Sequence, residues 1–74
     1  MTYPVLVRID RPYTDGFIEV FGEPDMAWYD YRIIDGNARV LFESDCQWGS
    51  VAICLRDALI ADSGYRNASH DDHR

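Results

Sequence analysis

Histidine is nearly absent from this sequence: the only two, His70 and His73, stand at its C-terminal end. Nucleophilic catalysis needs a base beside the nucleophile, and the body of the chain offers no histidine for that role. The two cysteines, Cys46 and Cys54, are too few for a disulfide framework. We expect Cys54 to be a small buried hydrophobic residue. The sequence therefore predicts a protein that is not an enzyme.

Long apolar runs and the features of a signal peptide are missing as well. No uncharged apolar stretch approaches the roughly 18 residues that a membrane-spanning helix requires. The opening segment, MTYPVLVRID, has neither a basic start nor a small-residue cleavage site. We therefore expect a cytoplasmic protein that makes no contact with a membrane.

Patterns that hold metal ions are sparse. The run His70-Asp71-Asp72-His73 contains ligand types, but it lies in a segment that we expect to be flexible. Ordering such a segment around a metal costs chain entropy. The acidic loops also lack the Asp-x-Asp-x-Asp-Gly spacing of a calcium loop. The sequence thus predicts no metal and no cofactor.

Acidic residues are the feature in excess. Thirteen Asp and Glu oppose seven basic residues, all of them arginine, for a formal net charge of −6. Charges within residues 65–74 cancel, so the whole excess lies in residues 1–64. A nucleic acid would be repelled, because its binding depends on cations that neutralise phosphates. A basic protein surface would be attracted.

Short segments rich in β-branched and aromatic residues predict four strands, over residues 5–10, 17–21, 27–34 and 39–43. Asp35-Gly36-Asn37 favours a tight hairpin between the last two strands. Ser50 then begins a helix over residues 51–62, and Gly64 stands where a C-cap belongs. These elements predict an α+β fold, a four-stranded antiparallel meander with one C-terminal helix packed on one face. Residues 1–64 form the single domain, and residues 65–74 form a flexible polar tail.

Alternation along the strands predicts which side of the sheet stays open to solvent. Charges at Asp30 and Arg32 would be costly to bury, so their row should face water. The same argument places Val5, Val7 and Ile9 of the first strand inside, and pairs Val40 and Phe42 with the inward row. A register slip of one residue would reverse the assignment. The predicted open face carries Arg8, Phe17, Glu19, Phe21, Trp28, Asp30, Arg32 and Glu43.

Aromatic residues and arginine on this face are the types enriched at binding hot spots. Phe17, Phe21 and Trp28 would form an exposed group of rings, and neighbouring carboxylates would meet a basic partner. We expect binding to a protein partner through Trp28, Asp30, Arg32, Glu19, Phe21, Glu23, Asp25, Glu43 and Asp45.

In size and charge, and in having a short meander, one helix and no catalytic set, the chain resembles small phage-encoded inhibitors, among which the anti-CRISPR proteins are best known. The resemblance implies an inhibitor in a bacterial host cell that mimics DNA and blocks a nucleic-acid-binding assembly such as a CRISPR-Cas effector complex. It rests on no motif, so no functional residue is carried over from that group. The alternative is a structural or accessory domain that forms a homodimer through its open sheet face. A small-ligand binder or enzyme subunit is a third, weaker hypothesis.

Overall fold

The structure, a computed structural model, describes residues 4–71 and the side chains of residues 4–65. One antiparallel sheet has its strands in the order β1-β2-β3-β4, and a C-terminal helix packs on it. This is the predicted α+β meander. The elements are β1 (Val5–Asp10), β2 (Gly16–Glu23), a short 3-10 helix (Pro24–Met26), β3 (Trp28–Asp35), β4 (Val40–Glu43) and α1 (Val51–Asp71).

Local chemistry explains two of the tight turns. Gly16 has φ +117°, and a Cβ there would lie 2.0 Å from the carbonyl oxygen of Ile34, so only glycine fits where β2 starts. The Asp35 carboxylate accepts hydrogen bonds from the backbone N–H groups of Asn37 and Arg39. That arrangement closes the turn that joins β3 to β4, as the Asp-Gly signal predicts.

The hydrophobic core lies between α1 and one face of the sheet. Ile18 and Val20 of β2 and Ile33 of β3 are fully buried. Cys54 and Ala58 of α1 pack against them. Because side chains alternate along a strand, Glu19 and Arg32 point to the opposite side, as the alternation predicts. We call that side of the sheet the open face.

The predicted inward placement of two residues, Val5 and Val40, is wrong because β-bulges shift the register of β1 and β4. The register of β1 shifts between Val5 and Val7, so Val5 lies opposite Phe21 and is 40% exposed. A second shift places Val40 opposite Ile34, on the open face, while Phe42 keeps its predicted inward place. An inserted residue changes which side the following side chains occupy, and a strict alternation cannot foresee it.

The predicted start of α1 is confirmed and its predicted end is wrong. The Ser50 hydroxyl accepts the N–H of Ile53, which is an N-cap. The helix then continues through Gly64 to Asp71. Beyond Asp62, the Tyr65 ring lies 6.2 Å from that of Phe42, and this contact lies past the predicted end of the helix.

Residues 65–74 were predicted to be a flexible tail, and most of their side chains lie outside the described ones. Their flexibility and the domain boundary at residue 64 therefore stay predictions. The run from His70 to His73 lies outside the described side chains as well.

Candidate interaction surface

A row of alternating charges crosses the middle of the open face. Arg8, Glu19, Arg32 and Glu43 lie directly opposite one another on the four successive strands. The Glu19 carboxylate forms ion pairs with both arginines: Arg8 Nη2 lies 2.6 Å from Oε2, and Arg32 Nε lies 2.9 Å from Oε1. Arg32 Nη1 lies 3.8 Å from Glu43 Oε1. We call these four residues the charge ladder, and its formal charge is zero.

The two arginines of the ladder also cover aromatic rings. The guanidinium carbon of Arg8 lies 5.3 Å from the centroid of Phe17, and that of Arg32 lies 4.9 Å from the centroid of Phe21. Such contacts are favourable cation–π interactions. Phe21 is only 8% exposed, so the predicted exposure of this ring is wrong, whereas Phe17 remains 40% exposed.

Glu19 was also expected to be exposed, and it is buried. Burial raises the pKa of Glu19, but the hydrogen bonds and charges of Arg32 and Arg8 outweigh it and hold the pKa below the ordinary value of 4.5. The carboxylate is therefore ionised at neutral pH and is already paired within its own chain. It stabilises the sheet and leaves little charge for a partner to meet.

Asp30 is a third residue whose expected exposure is wrong. Its Oδ1 accepts the Ser44 hydroxyl at 2.7 Å and the backbone N–H groups of Cys46 and Gln47 at 3.0 and 3.1 Å. Buried carboxylates need such partners. Asp30 thus fixes the loop 44–50 against β3, where Trp48 also pairs with Tyr29 through two backbone hydrogen bonds.

A group of acidic residues that accept no ion pair from the ladder lies where β2 ends and β3 begins. Asp25 and Asp45 are exposed and Glu23 is half-buried. The loop 44–50 lies beside β3 through the Tyr29–Trp48 pair, which brings Asp45 to the same end as the β2–β3 turn. Segments 21–31 and 44–55 contain no arginine or lysine. We call Glu23, Asp25 and Asp45 the acidic end.

Apolar side chains accompany these carboxylates. Trp28 lies opposite Glu23 in the β2–β3 register and is half-buried. Met26, in the turn itself, is 71% exposed. The structure therefore brings Glu23, Asp25, Trp28 and Asp45 of the predicted binding set to one end, and it separates them from Glu19, Arg32 and Glu43 in the ladder.

Sequence reasoning missed the ion pair of Arg11 and Asp62. Arg11 Nε lies 2.6 Å from Asp62 Oδ1, and the two side chains are 6% and 0% exposed. Arg11 also donates to the backbone oxygen of Asp15. The pair connects the turn after β1 to α1 over 51 positions of sequence, and a local sequence pattern cannot predict so distant a contact.

Reactive chemistry is sparse in the described part of the chain. Burial raises the pKa of the Cys54 thiol to about 12, so this group stays protonated at neutral pH. Among the residues described, no three metal-ligating side chains come together, and no helix is long and apolar enough to cross a membrane. Comparison with protein-family models, with curated proteins and with solved structures finds no match to this chain.

Proposed function

We propose that this chain is a protein-binding inhibitor that engages a basic surface through its acidic end. The uneven distribution of charge carries the proposal. Glu19 and Asp62 are each paired with arginines of the same chain, whereas Glu23, Asp25 and Asp45 lie in segments that contain no basic residue. Negative potential is therefore concentrated at one end of the sheet, where it attracts cations of a partner.

The proposed partner is a nucleic-acid-binding protein or complex. Its Lys and Arg side chains normally hold phosphates, and carboxylates pair with the same groups through charge-assisted hydrogen bonds. Trp28 and Met26 would add apolar contact beside the charges, in the pattern of an aromatic anchor within a polar rim. In this proposal the chain binds and does not catalyse. A CRISPR-Cas effector in a bacterial host is one partner that fits the resemblance in size and charge.

The test compares two pairs of substitutions that change the charge equally. D25N/D45N removes two exposed carboxylates from the acidic end, and D10N/D15N removes two exposed ones near the opposite end of the sheet. Partners are first captured from lysate of the source organism with the wild-type chain. Association rates of both variants with the captured partner are then measured at low and high salt.

We expect D25N/D45N to slow association on the order of tenfold at low salt, because exposed charges act mainly on encounter. High salt should remove most of the difference between the variants, and duplex DNA should displace the chain from its partner. Equal effects of the two variants would contradict the assignment to the acidic end. A captured set without any nucleic-acid-handling protein would contradict the proposed partner class.

A further inference from the structure

Beside the charge ladder, the open face carries a row of apolar side chains. Phe17, Ile34 and Val40 lie directly opposite one another on β2, β3 and β4. Phe17 is 40% exposed and Val40 is 54% exposed. Contiguous apolar residues on adjacent strands, flanked by charges, mark an interaction surface. We call these three residues the apolar row.

We propose that a second copy of this chain covers the open face, related by a two-fold axis that runs parallel to the strands between the two sheets. The sign pattern of the charge ladder is the reason. Across the sheet the ladder reads Arg8, Glu19, Arg32, Glu43, alternating from one edge to the other. An interface between identical faces must be complementary to itself.

This axis exchanges the two edges of the sheet and keeps each cross-strand row at its own level. Strand β1 then faces β4 of the second copy, and β2 faces β3. Arg8 meets Glu43 of the second copy, and these are the two ladder side chains that stay more than half exposed. Glu19 lies opposite Arg32 of the second copy, but it is already paired within its own chain, so the Arg8–Glu43 contacts carry the charge complementarity. In the apolar row, Phe17 meets Ile34 of the second copy, and Val40 meets Asp10, which continues this row on β1.

The other in-plane two-fold axis, perpendicular to the strands, is disfavoured by the same pattern. It would place each strand over its own copy, so Arg8 would face Arg8 and Glu43 would face Glu43. Both of these side chains are more than half exposed, at 57% and 53%. Like charges brought together in an interface are costly. The ladder therefore selects the axis parallel to the strands.

The area of the open face determines how strong a dimer we expect. Four strands of about six residues, spaced about 4.8 Å apart, present a flat area of roughly 400 Å². That is about half of the roughly 800 Å² per partner that is usual for a stable complex. We therefore expect a weak dimer, with a dissociation constant in the micromolar range. The inference rests on the charge ladder and the apolar row and uses neither Asp25 nor Asp45, so its test is separate from the test of the proposed function.

The experiment uses two charge-reversal variants, R8E and E43R. Each should form its own dimer poorly, and the two should associate with each other. In a dimer of R8E, the introduced carboxylate would face Glu43, and in a dimer of E43R, the introduced guanidinium would face Arg8. In a mixed dimer of the two variants, opposite charges face each other at both 8–43 contacts, so mixing should restore association. Sedimentation from micromolar to millimolar concentration should show each variant alone at least about tenfold weaker than wild type, and the mixture stronger than either. Native mass spectrometry, with a tag on one variant, identifies the mixed dimer.

A second pair of variants keeps the test independent of any effect of R8E on folding. F17S removes an exposed apolar side chain from the open face, and I60S removes one, 64% exposed, from the outer side of α1. F17S should weaken the dimer about tenfold, because each dimer loses two buried phenyl contacts, and I60S should leave it unchanged. A chain that stays monomeric at every concentration overturns the inference. So does a dimer that tolerates F17S, or a mixture of R8E and E43R that associates no better than either variant alone.

Discussion

Replacing Asp62 by alanine removes the carboxylate that pairs with Arg11 beneath the end of the sheet. Arg11 Nε lies 2.6 Å from Asp62 Oδ1, and neither side chain is more than 6% exposed. The variant leaves the Arg11 guanidinium buried beside the backbone oxygen of Asp15, 3.1 Å away. A neutral carbonyl compensates a buried cation poorly.

The expected cost is large for so small a domain. Breaking a buried ion pair by removing one partner typically costs about 3–5 kcal/mol. A chain of 74 residues has a total unfolding free energy of about 4–11 kcal/mol. D62A should therefore remove about a quarter or more of the unfolding free energy. The double variant R11M/D62L replaces both charges by apolar groups, and it should recover most of the loss.

Urea unfolding followed by circular dichroism measures both quantities. The midpoint should fall in D62A and return towards the wild-type value in R11M/D62L, with little change of slope. A loss below about 1 kcal/mol in D62A, the size of an exposed pair, would refute the argument that burial makes this pair important. A double variant as unstable as D62A would show that the site needs the pair itself.

Three further predictions test the ladder, the cysteines and the helix. The folded pKa of Glu19 lies below its ordinary value of 4.5, so its stabilising contribution is complete above that pH and is lost as the pH falls towards the folded pKa. Acid unfolding of E19Q should lack this component, and a profile parallel to that of the wild type would contradict the prediction. At neutral pH a thiol reagent should label exposed Cys46 quickly and reach buried Cys54 only on unfolding, since the pKa of Cys54 is raised to about 12; equal labelling rates in the folded protein would refute it. G64A should raise the unfolding free energy by about 0.5–1 kcal/mol, because alanine is favoured inside a helix and the added methyl meets nothing within 4 Å; a decrease would indicate a left-handed C-cap instead.

The strands were predictable because each is bounded by strong turn chemistry. The Asp-Gly signal at Asp35 and Gly36 correctly placed the turn between β3 and β4, and its carboxylate accepts the predicted kind of local hydrogen bonds. Alternation assigned Ile33 to the core correctly. It failed at Val5 and Val40, where bulges shift the register and no residue type marks them.

The exposure of the charged residues was harder to predict, because their partners come from other strands and loops. Glu19 is buried through arginines on both neighbouring strands, and Asp30 is buried through the loop 44–50. The charge of each residue alone argued for an outward, exposed position. The direction of Glu19 was right and its exposure was wrong, since paired charges tolerate burial that isolated ones do not.

The length of α1 shows the same dependence on distant contacts and bears on the acidic end. Gly64 favoured a stop by its local propensity, yet helix propensity is a weak preference of about 1 kcal/mol. Contacts on both sides of it, Asp62 to Arg11 and Tyr65 to Phe42, favour continuation. Both contacts hold α1 against the sheet without using a carboxylate of Glu23, Asp25 or Asp45. Because these carboxylates take no part in either contact, neutralising Asp25 and Asp45 should leave the free energy of unfolding nearly unchanged, whereas the proposed function requires it to slow binding.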